Sequence, residues 1–468
     1  MMYSRIRRFQ LIVILILAVF LLTTGFGCKQ GNMDAVRELE TPITLRYWRV
    51  FDGKDNFNDI ISSYRRLHPN VNIEYRKLRY DEYEQALIEA WAEDRGPDIF
   101  SIHNSWVKKY QTKILPMPDS LKLPYVVSVK SRTGDIEKAD YRQAQTLTPA
   151  QIRSDFVDVV YSDAVLGGKV MALPLSVDSL ALFYNRTMFD NVGITTVPST
   201  WVEVKEAVKR LTLQDNSGNI LNAGIALGGA DNINRASDIL ALLMMQNGTM
   251  MTDNSGYRAM FDQPSPYSTD NSYLPGAEAL RFYTDFALPF KEVYSWNKDM
   301  PEATEAFIAS RLGMMIGYSY QLPLIKAQGV RLNFGVAEIP HINSDGGDAT
   351  GSMVNYASYW LETVSARTEY SDYAWDFIIH ATKKENVESY LSKTKKPTAL
   401  RSLVQEQVQD PDIAPFARQV LTAKSWYHGS NPQAAEDIFK QMIIHVVEGK
   451  NSTSDAIKQA SSRINQTF

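Results

Sequence analysis

Cysteine is nearly absent from this sequence: Cys28 stands alone among 468 residues, so no disulfide can form within the chain and bridges say nothing about its compartment. Histidine is sparse as well. His68, His103, His341, His380, His428 and His445 include no His-x-x-x-His pair, the spacing by which one helix face presents two ligands to zinc. Basic charge is not in excess either. The 49 Lys and Arg stand against 53 Asp and Glu, a formal net charge of −4, and removal of the first 27 residues, which carry Arg5, Arg7 and Arg8 and no acid, takes it to −7. A mildly acidic chain repels phosphate backbones, so no nucleic-acid partner is expected. There is no Gly-x-Ser-x-Gly elbow and no Walker motif, which leaves a hydrolase nucleophile and a phosphate cradle without support. Asn343 to Asp348 is rich in oxygen ligands but lacks the alternation and closing glutamate of a calcium loop, so a polar turn is expected there, and neither metal nor cofactor.

Long apolar runs are missing too. Leu11 to Leu22 is an unbroken stretch of 12 apolar residues, short of the roughly 20 that span a bilayer. With three arginines ahead of it and Thr23 to Gly27 behind, it has the layout of a signal peptide, which implies export. Cys28 follows at the place where a bacterial lipoprotein signal puts its acylated residue; Gly27 fits that signal, and Gly25 stands where it has leucine. Two readings stay open, a lipidated Cys28 or an uncleaved anchor from Phe9 to Gly27. Both hold the protein at a membrane outside the cytoplasm. Lys29 to Thr41 is polar without a periodic apolar face and is expected to be a tether.

What is present is an ordinary globular composition, 44% hydrophobic and 22% charged, in a chain too long for one hydrophobic core, so two domains are expected. Ile43 to Trp48 alternates as a strand does, Phe57, Ile60, Ile61, Tyr64 and Leu67 recur at helical spacing, and Val71 to Leu78 reads as a second strand. A helix beginning near Asp81, capped by an Asp81–Glu84 pair, and a strand from Asp98 to Ile102 complete a β-α-β-α-β order, which implies a mostly parallel sheet. Ligands of such sheets bind beyond the carboxyl ends of the strands, here at Arg49 to Lys54 and His103 to Trp106. Residues 116–150 are irregular and suggest no role. From Gly168 the chain reads Gly-Lys-Val-Met-Ala-Leu-Pro-Leu-Ser-Val-Asp-Ser-Leu-Ala-Leu-Phe-Tyr-Asn, two short strands with Pro174 and Asp178 between them, as suits a chain passing from one sheet to another. A capping box, Thr200-Trp-Val-Glu203, then opens a helix with Val204, Ala207, Val208 and Leu211 on one face.

This central segment resembles the extracellular solute-binding proteins of bacterial ABC importers, in particular the maltose-binding-like, family 1 group. That group has a similar Gly-Lys-x-Tyr/Met-x-Leu-Pro-x-x-x-Asp/Glu segment running to Tyr-Asn, followed by a Pro-x-Thr-Trp helix start. The order of several such stretches, from about residue 42 to the C-terminus, carries the resemblance: the Gly-Pro-Asp-Ile strand at 96–99, the Gly-Met-Met-Ile strand at 313–316 with Tyr318 and Tyr320 after it, and Phe334 to Pro340. It implies an α/β fold of type II with two lobes of mostly parallel sheets flanked by helices and joined by multiple hinge crossings. Expected boundaries are 1–27 for the signal or anchor, 28–41 for the tether, 42–172 with 341–393 for the first lobe and 173–340 with 394–468 for the second. The crossings are expected at the central segment, at Phe334 to Pro340 and near Ser392 to Thr398.

The implied ligand is a mono- or oligosaccharide, delivered to the permease subunits of an importer by a monomer tethered through a lipid anchor. A sugar offers an apolar face of C–H groups and a rim of hydroxyls, which suits flat rings beside carboxylates and amides. The expected ligand residues are Asp52, Asn104 and Trp106 from the first lobe, Asp178 at the boundary, and Asp231, Trp296, Tyr318, Tyr320, Tyr356 and Trp426 from the loops of the second. Each ring equally fits a place in a hydrophobic core, as Trp48, Trp91, Trp201 and Trp375 do better. Two alternatives remain. A lipid-anchored glycoside-processing enzyme needs two carboxylates about 5 to 10 Å apart at one cleft, and the same binding fold can serve a peptide, a polyamine or another polar solute.

Overall fold

The computed structural model describes residues 32–131, 134–265, 272–342 and 353–468. Cys28, the apolar N-terminal run and the polar turn at 343–348 lie outside them. Among the described residues no helix is long and apolar enough to cross a membrane.

The first sheet begins as the periodicity predicts. Ile43–Val50 pairs in parallel with Val71–Leu78, from Ile43 opposite Val71 to Val50 opposite Leu78, and with Ile99–His103 through Tyr47 and Ile99. Helix Asn58–Leu67 buries Ile60, Ile61 and Tyr64 and stops at His68, whose successor Pro69 disfavours helical geometry there. Helix Tyr80–Ala92 starts two residues earlier than the Asp81–Glu84 pair suggests, because the Glu82 carboxylate accepts from the Arg79 amide at 3.4 Å. The strand beyond Ile99–His103 comes from far along the chain: Trp360–Ser365 runs antiparallel to it, with Leu173–Pro174 and Ile114–Leu115 along its other side. A parallel core thus acquires antiparallel neighbours.

Two stretches differ from their sequence reading. Within the irregular region, Ser120–Ser131 and Gly134–Gln145 form one antiparallel hairpin paired from Ser120–Gln145 to Ser131–Gly134. Leu121, Leu123 and Tyr125 bury one of its faces, and the Tyr125 hydroxyl donates to Asp376 at 2.5 Å. Met33–Glu40, expected as tether, is a helix; Glu38 fixes it by accepting from Tyr141 and Tyr373 at 2.7 and 2.9 Å.

The second sheet has the order Leu213–Gln214, Ile220–Ile225, Leu312–Gly317, Ala181–Asn185, Phe334–Ala337. Only Ile220–Ile225 and Leu312–Gly317 pair in parallel. The Thr200 capping box forms as predicted, with Thr200 Oγ1 accepting from the Glu203 amide at 3.2 Å and Glu203 accepting from the Thr200 amide at 3.1 Å. Helix Ala236–Gln246 is buried on nearly all sides, consistent with its run of Ile, Leu and Met.

Two separate cores define two lobes. One holds Leu45, Phe100, Leu173, Val177, Leu361 and Leu403. The other holds Leu182, Leu227, Phe307, Phe416, Phe439 and Ile457. Asp178–Ser179, Asn355–Ser358 and Ala423–Lys424 join in a three-stranded sheet between them, with Asp178 opposite Ser358 and Asn355 opposite Ala423. Phe334–Ala337, expected as a crossing, instead closes the edge of the second sheet. Apolar contacts pass to the second core between Val404 and Ile413, return to the first at Val420 and Ala423 and rejoin the second at Trp426, while Thr398 bridges to Ser176 beside the first passage.

Candidate functional site

A cleft of about 1060 Å³ opens where the carboxyl ends of the first sheet's parallel strands face the loops of the second lobe. On the first-lobe wall the aromatic surface is built around Trp360, which starts its strand. Phe51, Tyr80 and Trp106 lie 5.8, 6.2 and 5.5 Å from it, ring centre to ring centre, all edge-on. Phe51 and Tyr80 stack on each other at 5.8 Å and 17° and are 53% and 50% exposed. Phe51 holds this position with φ of 64°, a conformation that costs an aromatic residue free energy. Opposite, Tyr320 is 48% exposed and lies 5.8 Å from the buried Tyr318 at 19°.

Charged groups line the same cleft in matched sets. Arg235, at the start of helix Ala236–Gln246, grips Asp238 through Nε at 2.8 Å and Nη2 at 3.0 Å, and reaches Glu436 through Nη1 at 3.0 Å. Burial alone raises the Glu436 carboxyl, yet the charge of Arg235 carries it below its usual range. In the first lobe, Arg49 lies 3.1 Å from Asp52 and 3.3 Å from Glu362, and Lys396 donates to both Asp52 oxygens at 2.7 and 2.8 Å. Burial pushes His103 down to about 3, so it is neutral, with its ring nitrogens 2.8 and 3.0 Å from the hydroxyls of Ser105 and Ser358.

Of the residues singled out from the sequence, Asp52, Asn104, Trp106, Asp178, Asp231, Tyr320, Tyr356 and Trp426 line this cleft. Trp296 and Tyr318 do not. Trp296 is wholly buried and donates from its indole to Asn232 at 3.0 Å, and Tyr318 donates to Asp238 at 2.8 Å from behind the wall. Trp106 and Trp426 reach the cleft with 9% and 7% of their surface, since Tyr110 and Trp360 cover the first and Phe261, Tyr427 and Phe439 the second. The carboxylates are also engaged. Asp178 accepts from the amides of Ser179 and Ser319 at 2.9 and 3.1 Å and from the Ser319 hydroxyl at 2.8 Å; burial nevertheless raises it to about 6. Phe51, Tyr80, Trp360 and Arg235 were not singled out. Phe51 lies in a strand-end loop that was recognised, whereas Trp360 belongs to a strand whose place beside His103 depends on long-range pairing.

At Asn104 and Ser105 the cleft meets a smaller recess of about 390 Å³, walled by Lys108, Asp163, Tyr257 and His428 among others. The Lys108 ammonium of the first lobe lies 5.2 Å above the Tyr257 ring of the second. Asp163 joins the two sides here: it accepts from Asn104 at 2.9 Å, from Tyr359 at 2.8 Å and from Ser425, and pairs with His428 at 2.8 Å.

Two independently cored lobes, strands passing between them and a ring-lined cleft along the seam define a receptor of the two-lobed solute-binding class. The chain belongs to the family of bacterial extracellular solute-binding proteins, whose model matches residues 59–415. A putative binding protein of Brucella abortus is 22% identical over 324 residues, 67% of this chain and 71% of that one. The multiple sugar-binding protein of Streptococcus mutans is 23% identical over 443 residues, 93% of this chain and 94% of its own. Among solved structures, the cyclic alpha-maltosyl-1,6-maltose binding protein of Arthrobacter globiformis superimposes with a TM-score of 0.70 at 20% identity, covering 91% of this chain and 98% of that chain. The last likeness is one of fold.

Proposed function

We propose that this chain is an extracytoplasmic receptor that closes two lobes on a carbohydrate and delivers it, chemically unchanged, to the permease subunits of an ABC importer. The observation that carries the reading is the pairing of exposed ring faces on both walls, Phe51 with Tyr80 and Tyr320 opposite, beside a rim of charged and amide groups. Flat rings suit the C–H face of a pyranose and the rim suits its hydroxyls. The multiple sugar-binding protein among the relatives supports the same ligand class. In this reading the first lobe comprises about residues 42–177 with 357–404 and 420–423, the second about 180–340 with 413–417 and 426–468, and a lipid on Cys28 tethers a monomer to the membrane. Closure follows from a ligand that contacts both lobes and so favours the shut state.

Incubation of the purified protein with a panel of mono- and oligosaccharides tests the reading. A true ligand at 100 times its dissociation constant adds about 2.7 kcal/mol to folded-state stability. The expected result is a raised melting temperature with one or a few related sugars and no new reducing ends after prolonged incubation. New reducing ends would make the protein an enzyme of glycosides, and a shift with peptides or polyamines alone would replace the sugar by another solute.

A further inference from the structure

We propose that the cleft selects neutral carbohydrates and rejects sugars bearing a carboxylate, phosphate or sulfate; this rests on the carbohydrate reading above. An anionic sugar inserted between two lobes loses much of its hydration, and a cation free to hydrogen-bond it is the strongest single side-chain offset to that loss. Among the described residues, every lysine and arginine lining the cleft already faces a protein carboxylate. Arg49 and Lys396 share Asp52, and Arg49 also meets Glu362. Arg235 is held by Asp238 and Glu436, and Lys440 lies 2.9 Å from the same Glu436. Lys393 lies 2.6 Å from Asp59.

The acids are in the opposite position. Asp231, in the loop before Arg235, lines the cleft with no ion-pair partner among the described residues. Asp178 meets only amides and a hydroxyl, and burial raises it to about 6, the sign of a carboxylate whose charge nothing nearby balances fully. His103 sits on the first-lobe wall in its neutral form. An incoming anion therefore meets neutralised cations and unneutralised carboxylates, while a neutral pyranose meets acceptors suited to its hydroxyls.

Calorimetric titration of the purified protein decides the matter, with neutral trisaccharides of glucose, mannose, galactose and xylose set against galacturonate and glucuronate trisaccharides at low salt. At least one neutral trisaccharide is expected to bind, and each acidic one at least tenfold more weakly than the best of them. An acidic trisaccharide that binds as tightly as the best neutral one overturns this proposal and leaves the carbohydrate reading standing. Binding of a peptide or polyamine with no sugar of either kind overturns both. Glu436→Gln supplies a second readout, since it leaves Lys440 and one arm of Arg235 without their carboxylate. The acidic-to-neutral affinity gap is expected to narrow severalfold in that variant, with its circular dichroism spectrum matching the parent's; an unchanged gap in the folded variant counts against the charge argument.

Discussion

Exposure, more than ring type, separates the aromatic residues of the cleft from those of the cores. Trp296 and Phe51 both belong to loops, yet Trp296 is wholly buried while Phe51 shows half its surface to the cleft and is held there by an unfavourable backbone conformation. A sequence shows that a tryptophan follows a strand or helix, but which side of the wall it faces depends on neighbours that arrive from elsewhere in the chain. Asn232 captures the Trp296 indole in this way, and Asp238 captures the Tyr318 hydroxyl. The two side chains therefore fail differently when removed. Phe51→Gly gives up a stacking face worth on the order of 1 kcal/mol beyond its buried area and relieves the strain of a positive φ. Sugar affinity is expected to fall about tenfold while stability stays within about 1 kcal/mol of the parent. Trp296→Ala is expected to cost about 3 to 5 kcal/mol of stability and to leave the affinity of the folded fraction unchanged. Paired titration calorimetry and urea unfolding check both, and a large affinity loss in Trp296→Ala with none in Phe51→Gly would reverse the assignment.

Elements built on local rules were legible, and those built on distant pairing were not. The Thr200–Glu203 box needs only its own side chains, and the strands at 43, 71 and 99 carry their alternation in sequence. The hairpin was hidden because one strand, Gly134–Gln145, carries Asp135, Glu137, Lys138 and Asp140 and reads as a polar loop until its partner lies beside it. The crossings were legible only in part. Asp178 was correctly placed between two sheets, but Phe334–Ala337 has the same apolar character whether it crosses or closes a sheet edge. Asp178 also ties two elements, since it bonds the short crossing strand to the turn Ser319–Gln321. Burial raises it to about 6 from an ordinary 3.8, against the opposing hydrogen bonds of Ser319. Because the folded value is the higher one, the stability it contributes is complete below about pH 4 and is lost as pH rises through about 6, roughly 3 kcal/mol in all. Asp178→Asn does not titrate and lacks that slope. Urea unfolding at about pH 4 and about pH 7 is expected to show the stability difference between parent and variant moving by roughly 3 kcal/mol in the variant's favour at the higher pH; a constant difference would mean that the carboxylate is already hydrated in the folded protein.

At the scale of the whole molecule, a receptor that clamps its ligand needs lobes that stay rigid while the angle between them changes. Separate cores supply the rigidity, and the three-stranded crossing sheet keeps the passages in register. Away from those strands the lobes also meet at Asp163, which has four side-chain partners drawn from both sides. Its side chain is fully buried, with Asn104 and Tyr359 on the first lobe and Ser425 and His428 beside the second. Burial works to lower the His428 imidazolium, but the hydrogen bond and charge of Asp163 outweigh it and raise the group above its ordinary value. The pair's contribution is therefore complete below the ordinary histidine value near 6.5 and is lost as pH rises through the raised one. Asp163→Asn keeps the side chain's size but removes its charge and one acceptor, so the links to Ser425 and His428 weaken while both cores remain intact. Asp163 lines the recess and not the main cleft, but its partners Asn104, Tyr359 and Ser425 line the cleft, so the scattering profile, and not the affinity alone, separates a change in closure from a shifted wall contact. Small-angle scattering is expected to show a more open average shape in the absence of sugar, and calorimetry an affinity about tenfold lower, without the His428-linked decline of the parent's affinity as pH rises above about 6.5. A variant with the parent's scattering profile and affinity would reduce Asp163 to a local packing partner and place the control of closure in the crossing strands alone.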